Sequence, residues 1–103
     1  MADESINQVQ FQTAVWLFPG DAGWHFASVP EDLSTEIKEA FGTMARGWGS
    51  LPVEATIGDT MWKTSIFWDK KLNAYLLPLK AEVRKRERFA AGETISVVLE
   101  LQL

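Results

Sequence analysis

A chain of 103 residues, 47% hydrophobic, with five tryptophans and six phenylalanines, holds material for one modest core and is too short for two ordinary domains. It contains no cysteine and one histidine, which excludes a disulfide framework and any thiolate metal site. The formal net charge is −4, yet residues 1–59 carry two basic groups against nine acids and residues 60–103 carry eight against five, so a basic patch sits inside an acidic total.

Residues 1–8 are polar and are expected to form a disordered tail, leaving 9–103 as a single domain. From Val9 the run VQFQTAVWLFP alternates, with Val9, Phe11, Thr13, Val15 and Leu17 on one side and Gln10, Gln12, Ala14, Trp16 and Phe18 on the other. This predicts a strand whose first part is half-exposed and whose second part is covered on both faces. Pro19 ends it, GDAG at 20–23 turns the chain, and a strand returns over about 24–28. Val29, Leu33, Ile37 and Phe41 then fall three or four residues apart, so 30–41 reads as a helix with one apolar stripe. Pro30 suits its first turn, Glu31 and Asp32 suit the positive end of its dipole, and Gly42 stops it. Ser28 and Glu31 have capping-box spacing.

Glycines at 42, 47 and 49 make 42–50 a tight or flexible loop with Trp48 as its anchor. Strands over 51–57 and 60–68 flank Gly58 and Asp59, a two-residue hairpin turn. After a turn at Asp69, Lys70 and Lys71 come a short strand over 74–79 ending at Pro78, a helix over 80–89, a turn at Gly92 and Glu93, and a last strand over 94–102. The order strand, proline, short helix, glycine, strand thus occurs around Pro30 and again around Pro78. Two such crossovers would close a barrel with approximate two-fold symmetry. The expected fold class is mainly β: a small closed or nearly closed barrel of about six strands with two short crossover helices.

The residues argue against most enzyme classes. His25, the lone histidine, lies between Trp24 and Phe26 on a predicted strand, the setting of a packed or edge residue rather than a catalyst. Ser65 stands near Lys63 without a supporting motif. Asp21, Asp59 and Asp69 sit in predicted turns, where aspartate bonds to nearby backbone, and no acidic loop has metal-ligand spacing. The glycines of 42–49 match neither the Walker nor the dinucleotide pattern. No cofactor and no metal is expected. The acidic start, MADES, and the absence of a long apolar run speak against a signal peptide and a membrane span, so the cytoplasm is the default.

The basic residues point the other way. Lys80, Arg84 and Arg88 recur every four residues and would form one helical stripe able to clamp phosphate or carboxylate. The same stripe could be a solvated face supported by Glu82 and Glu87. Trp16, Trp62 and Trp68 are expected to fill the core, whereas Trp24 and Trp48, near glycine-rich turns, could line the mouth of a ligand site.

Several motifs occur in a recognisable order: FQTA, GWHFASVPE, VEATIGD with WKTSI, and LLPLKAEVRK followed by AGETISVVLE. Over roughly residues 9–101 this succession resembles the bacterial family known as domain of unknown function 1905. The resemblance implies a small double-split barrel and marks Gly58, Lys63, Thr64, Lys80 and Arg84 as positions serving barrel geometry or a ligand site. Pro78, Lys80, Arg84, Gly92 and Glu93 are also similar to the signature of swapped-hairpin antitoxin and transition-state regulator domains, which bind DNA as intertwined dimers. Here one chain is expected to hold both halves of the barrel and is acidic overall, so the motif reads as fold grammar.

The leading functional expectation is a small non-enzymatic binding or accessory domain for an anionic small molecule or acidic peptide. Lys63, Lys80 and Arg84 would supply charge, and Trp24 or Trp48 an apolar wall. The alternatives are a nucleic-acid-binding regulator using the 80–88 helix, which the acidic total disfavours, and an enzyme of unrecognised type. Monomer and weak homo-oligomer both fit a closed barrel with oppositely charged regions.

Overall fold

Alternation decides the strands. In β3 (Ser50–Ile57) every second residue, Leu51, Val53, Ala55 and Ile57, is buried, and β6 (Thr94–Leu101) repeats the pattern with Ile95, Val97, Leu99 and Leu101. A period of two puts one face of each strand inward. The same parity orients β1 (Gln8–Leu17), with Phe11 and Val15 buried, and β4 (Thr60–Asp69), with Ile66 buried. Two shorter strands, β2 (His25–Ser28) and β5 (Ala74–Pro78), complete the set. The computed structural model describes residues 7–20 and 22–103. Most of the expected tail and the turn residue Asp21 therefore lie outside the described residues, and β1 begins at Gln8, inside the span assigned to the tail.

The strands pair antiparallel in the ring β1-β2-β5-β4-β3-β6, and β6 pairs back onto β1, closing a barrel. Closure removes the free edges that an open sheet would present. The interior is filled by the inward aliphatic side chains and capped by Val29, Ile37, Leu79 and Val83 from the crossovers. Each fully buried leucine, isoleucine or valine contributes on the order of 1.5–3 kcal/mol relative to exposure.

Both crossovers carry a helix, α1 (Glu31–Phe41) and α2 (Ala81–Glu87). Pro30 is the N-cap of α1 and no side chain caps that helix. The expected capping box does not form, because the helix starts at Glu31, two residues too late for Ser28 to cap it, and Ser28 Oγ accepts instead from the Trp16 indole Nε1–H at 2.9 Å. Trp16 itself departs from expectation. It lies on the outer face of β1, half-buried against Phe26 at 5.3 Å between ring centroids, and not in the core. The second part of β1 is thus wrapped outside by aromatic rings instead of being covered by another layer, and Leu17 and Phe18 are each half exposed.

The two-residue hairpin holds: Ile57 pairs with Thr60 across Gly58 and Asp59. Gly58 has φ +59°, the conformation that glycine supplies at the first position of such turns. Glu87 reaches over this turn from α2, accepting from the Asp59 N–H at 3.2 Å and from the Thr60 hydroxyl at 2.6 Å. A Cβ on Gly58 would overlap Glu87 Oε1 and lie 2.8 Å from its Cδ. Helix α2 ends there, since Arg88 adopts left-handed angles (φ 58°, ψ 47°) as its C-cap. The expected helix over 80–89 is shorter at both ends, and Arg88 leaves the stripe begun by Lys80 and Arg84.

The ring has internal two-fold symmetry. Exchanging β1 with β4, β2 with β5 and β3 with β6 maps the strand order onto itself. Hydrogen bonds obey it: the Val29 N–H donates to Tyr75 O, and the Leu79 N–H to His25 O, each at 2.9 Å. Val29 therefore corresponds to Leu79, Tyr75 to His25 and Pro30 to Lys80, the two residues that cap the helices. The two prolines that suggested the repeat are not equivalent, because Pro78 corresponds to Ser28.

Candidate functional site

At the start of α2 a cavity of about 260 Å³ opens between three segments remote in sequence. The turn into β2 supplies Ala22, Gly23, Trp24 and His25. Strand β4 supplies Trp62, Lys63 and Thr64, and the end of β5 with the first turn of α2 supplies Pro78, Leu79, Lys80, Ala81 and Arg84. Among the described residues, three cationic side chains and one imidazole line it, and no carboxylate does. Four of the five residues expected to bind ligand, Trp24, Lys63, Lys80 and Arg84, are thus brought to one place. The fifth, Trp48, is not among the lining residues.

Local structure sets the orientation of two polar groups. Arg84 lies one turn into α2, and its Nε–H donates to Leu79 O at 3.1 Å. That bond ties the guanidinium to the strand end and leaves its terminal nitrogens to other acceptors. His25 Nδ1 lies 2.8 Å from Gly23 O. A carbonyl only accepts, so Nδ1 carries the hydrogen and Nε2 is the free ring nitrogen. Lys63 is less independent than Lys80 and Arg84, because Glu54 stands opposite it in the register of β3 and β4. Lys80 also borders a smaller recess of about 180 Å³ that includes Glu82 and Arg86.

The family model described as Domain of unknown function (DUF1905) matches residues 11–99. The chain belongs to that family. Among curated proteins none matches it.

The internal symmetry of this DUF1905 barrel provides a control for the cavity. In the other copy, the positions equivalent to Gly23, Trp24, His25, Ala81 and Arg84 are Asn73, Ala74, Tyr75, Glu31 and Ser34. Gly23 and Asn73 even share a positive φ, +71° and +54°. There the mouth is bridged, as Asn73 Nδ2 donates to Glu31 Oε2 at 3.1 Å. Beneath it, Ser34 is fully buried, its hydroxyl donating to Val29 O and accepting from the Tyr75 N–H, both at 3.0 Å. Tyr75 is buried edge-on against Trp68 at 5.1 Å, and burial pushes its phenol pKa up. Lys38 Nζ lies 3.8 Å over the Trp68 ring. Gly23 and Ala81 cannot make the bridge, and Arg84 with His25 replaces the buried serine and tyrosine. The unbridged, cationic lining is therefore a property of one copy and not a requirement of the fold, and the recess at the start of α1 is a wide, shallow one lined by Glu31, Asp32 and Thr35.

Trp48 is 89% exposed with φ +64°, so it does not anchor its loop. The close contact there belongs to Gly49, where a Cβ would meet Trp68 Cβ at 3.3 Å. Residues that the sequence did not single out as binders are His25, Trp62 and Thr64. Only the family pattern had marked Thr64. Gly58, marked with it, serves the hairpin under Glu87. Among the described residues, no three of His, Asp and Glu gather in a metal-binding group, and no helix is long and apolar enough to cross a membrane.

Proposed function

We propose that this protein is a small non-enzymatic binding domain that takes an anionic small molecule or acidic peptide terminus into the cavity at the start of α2, working in the cytoplasm as its cysteine-free composition suits. The observation that carries the reading is the cavity where Lys63, Lys80 and Arg84 converge, with no carboxylate among the described lining residues, in the copy of the repeat that lacks the closing bridge. Arg84 is the principal donor, its guanidinium held by Leu79 O, and Lys80 is the second. Lys63 adds a third positive charge, with Glu54 opposite it in the strand register. A charge-assisted hydrogen bond contributes about 1.5–3 kcal/mol, so loss of the Arg84 donors weakens binding by roughly tenfold or more.

Mass spectrometry of protein purified without added ligand, combined with phosphate and acetate titrations, tests the proposal. Wild type is expected to carry or bind an anion that Arg84→Ala loses while keeping its fold. Equal binding by wild type and Arg84→Ala would overturn it.

A further inference from the structure

Trp24 belongs to two recesses. It lines the cationic cavity, and it also lines a shallow apolar groove of about 270 Å³ with Phe18 and Phe26. Trp24 lies nearly parallel to Phe26, at 10° and 6.1 Å between centroids, and Phe18 meets Phe26 edge-on at 6.2 Å. The rings are open: Phe18 is 50% and Trp24 55% exposed. The internal repeat again separates design from fold. The positions equivalent to Phe18, Trp24 and Phe26 are Asp69, Ala74 and Leu76. All three aromatic rings thus occur in the same copy as the open cavity, and none at the equivalent places in the closed one.

We infer that the ligand is an aromatic anion, a small molecule whose phosphate or carboxylate enters the Lys80 and Arg84 cavity while its ring lies along Trp24 toward Phe18 and Phe26. The inference rests on the anion-binding reading above and extends it to a chemical class. Charge complementarity fixes the head, because the described lining of the cavity offers Lys63, Lys80 and Arg84 and no acid. Ring chemistry fixes the body, because exposed aromatic faces in offset and edge arrangements accept a further ring in the same geometries. A free inorganic anion would leave the groove unused, and a purely apolar molecule would leave Arg84 and Lys80 unused. Trp24, shared by both recesses, sets the head and the ring next to each other.

The test compares 1-naphthyl phosphate with inorganic phosphate on the full chain by calorimetry, with Phe18→Ala and Trp24→Ala alongside. Phe18 lines the groove and is not among the lining residues of the cationic cavity. Naphthyl phosphate is expected to bind at least about tenfold more tightly than inorganic phosphate. Phe18→Ala should lose part of that advantage with phosphate binding unchanged, and Trp24→Ala most of it. Equal affinity for the two probes in wild type would overturn the inference and leave the anion site standing. Binding of neither would overturn both. If sedimentation shows self-association that Phe18→Ala abolishes, the groove is covered by a second copy and the inference also fails. Circular dichroism of each variant establishes that a loss of binding is not a loss of fold.

Discussion

Gly58→Ala tests how α2 is fastened to the barrel. The new Cβ faces two costs. A non-glycine residue at φ +59° costs about 1–2 kcal/mol, and the methyl overlaps Glu87 Oε1. The carboxylate must then leave the Asp59 N–H and the buried Thr60 hydroxyl. Because Glu87 is only half-buried and regains water when displaced, that loss is about 1–2 kcal/mol in place of the full value of two charged hydrogen bonds. Gly58→Ala should therefore destabilise by about 2–4 kcal/mol in urea denaturation. The decisive version is a double-mutant cycle. With Glu87→Ala in the background the overlap is gone, so Gly58→Ala should cost only the backbone part, and the coupling should be about 1 kcal/mol or more. Additive costs, or a Gly58→Ala cost below about 1 kcal/mol, would refute the reasoning.

Other consequences are equally direct. Tyr75 is the sole tyrosine, and burial raises its pKa above the ordinary value of 10. Between that value and the raised one the unfolded chain has released a proton that the folded chain keeps, so the contribution of Tyr75 to stability is constant below about pH 10 and falls above it. Absorbance at 295 nm should show the folded phenol ionising later than free tyrosine, and Tyr75→Phe should remove this contribution to the alkaline loss. The double variant Gly23→Asn with Ala81→Glu places the Asn73 and Glu31 bridge across the open mouth, at a φ that asparagine tolerates and with no atom within 4 Å of the new Cβ on residue 23. It should keep wild-type stability within about 1 kcal/mol and lose anion binding, as read by calorimetry. Trp48→Asn, replacing an exposed indole at φ +64°, should leave phosphate affinity unchanged and stability equal or higher by less than about 1 kcal/mol, as read by titration and by thermal unfolding.

Much of the fold was legible because one physical signal dominates it. The inward residues of β3 and β6 alternate without exception, and Gly58 with Asp59 left one economical turn between their neighbours. Trp16 and Phe18 were harder to place. Both parities of β1 become apolar there, and only the pairing of Trp16 with Phe26 on β2 shows that the outward set is a surface cluster. The repeat was visible, but aligning it on Pro30 and Pro78 put it out of step by two residues. The equivalence follows the carbonyls that receive the Val29 and Leu79 amides, which carry no residue-type signal.

The candidate site divides similarly. Lys80 and Arg84 share a helical face by spacing, and Lys63 and Trp24 were chosen for charge and for nearness to a turn. That all four meet in one cavity depends on β5 pairing with β4, its neighbour in the chain, and on β2 pairing with β5 across about fifty residues. His25 gave no sign of this from its neighbours, because its place depends on the same pairing. The basic stripe through Arg88 was regular in sequence and broken in space, since α2 ends where Glu87 turns onto the hairpin.

The central claim is that one copy of the repeat is an open anion site and the other a closed structural counterpart. An amide-resolved NMR titration of the wild-type chain with inorganic phosphate tests it most directly, because the closed copy serves as an internal control. Shifts should gather at 22–25, 62–64 and 79–84 and be absent at 31–34 and 73–75. Shifts in both copies alike, or none at 79–84 at millimolar phosphate, would contradict the account.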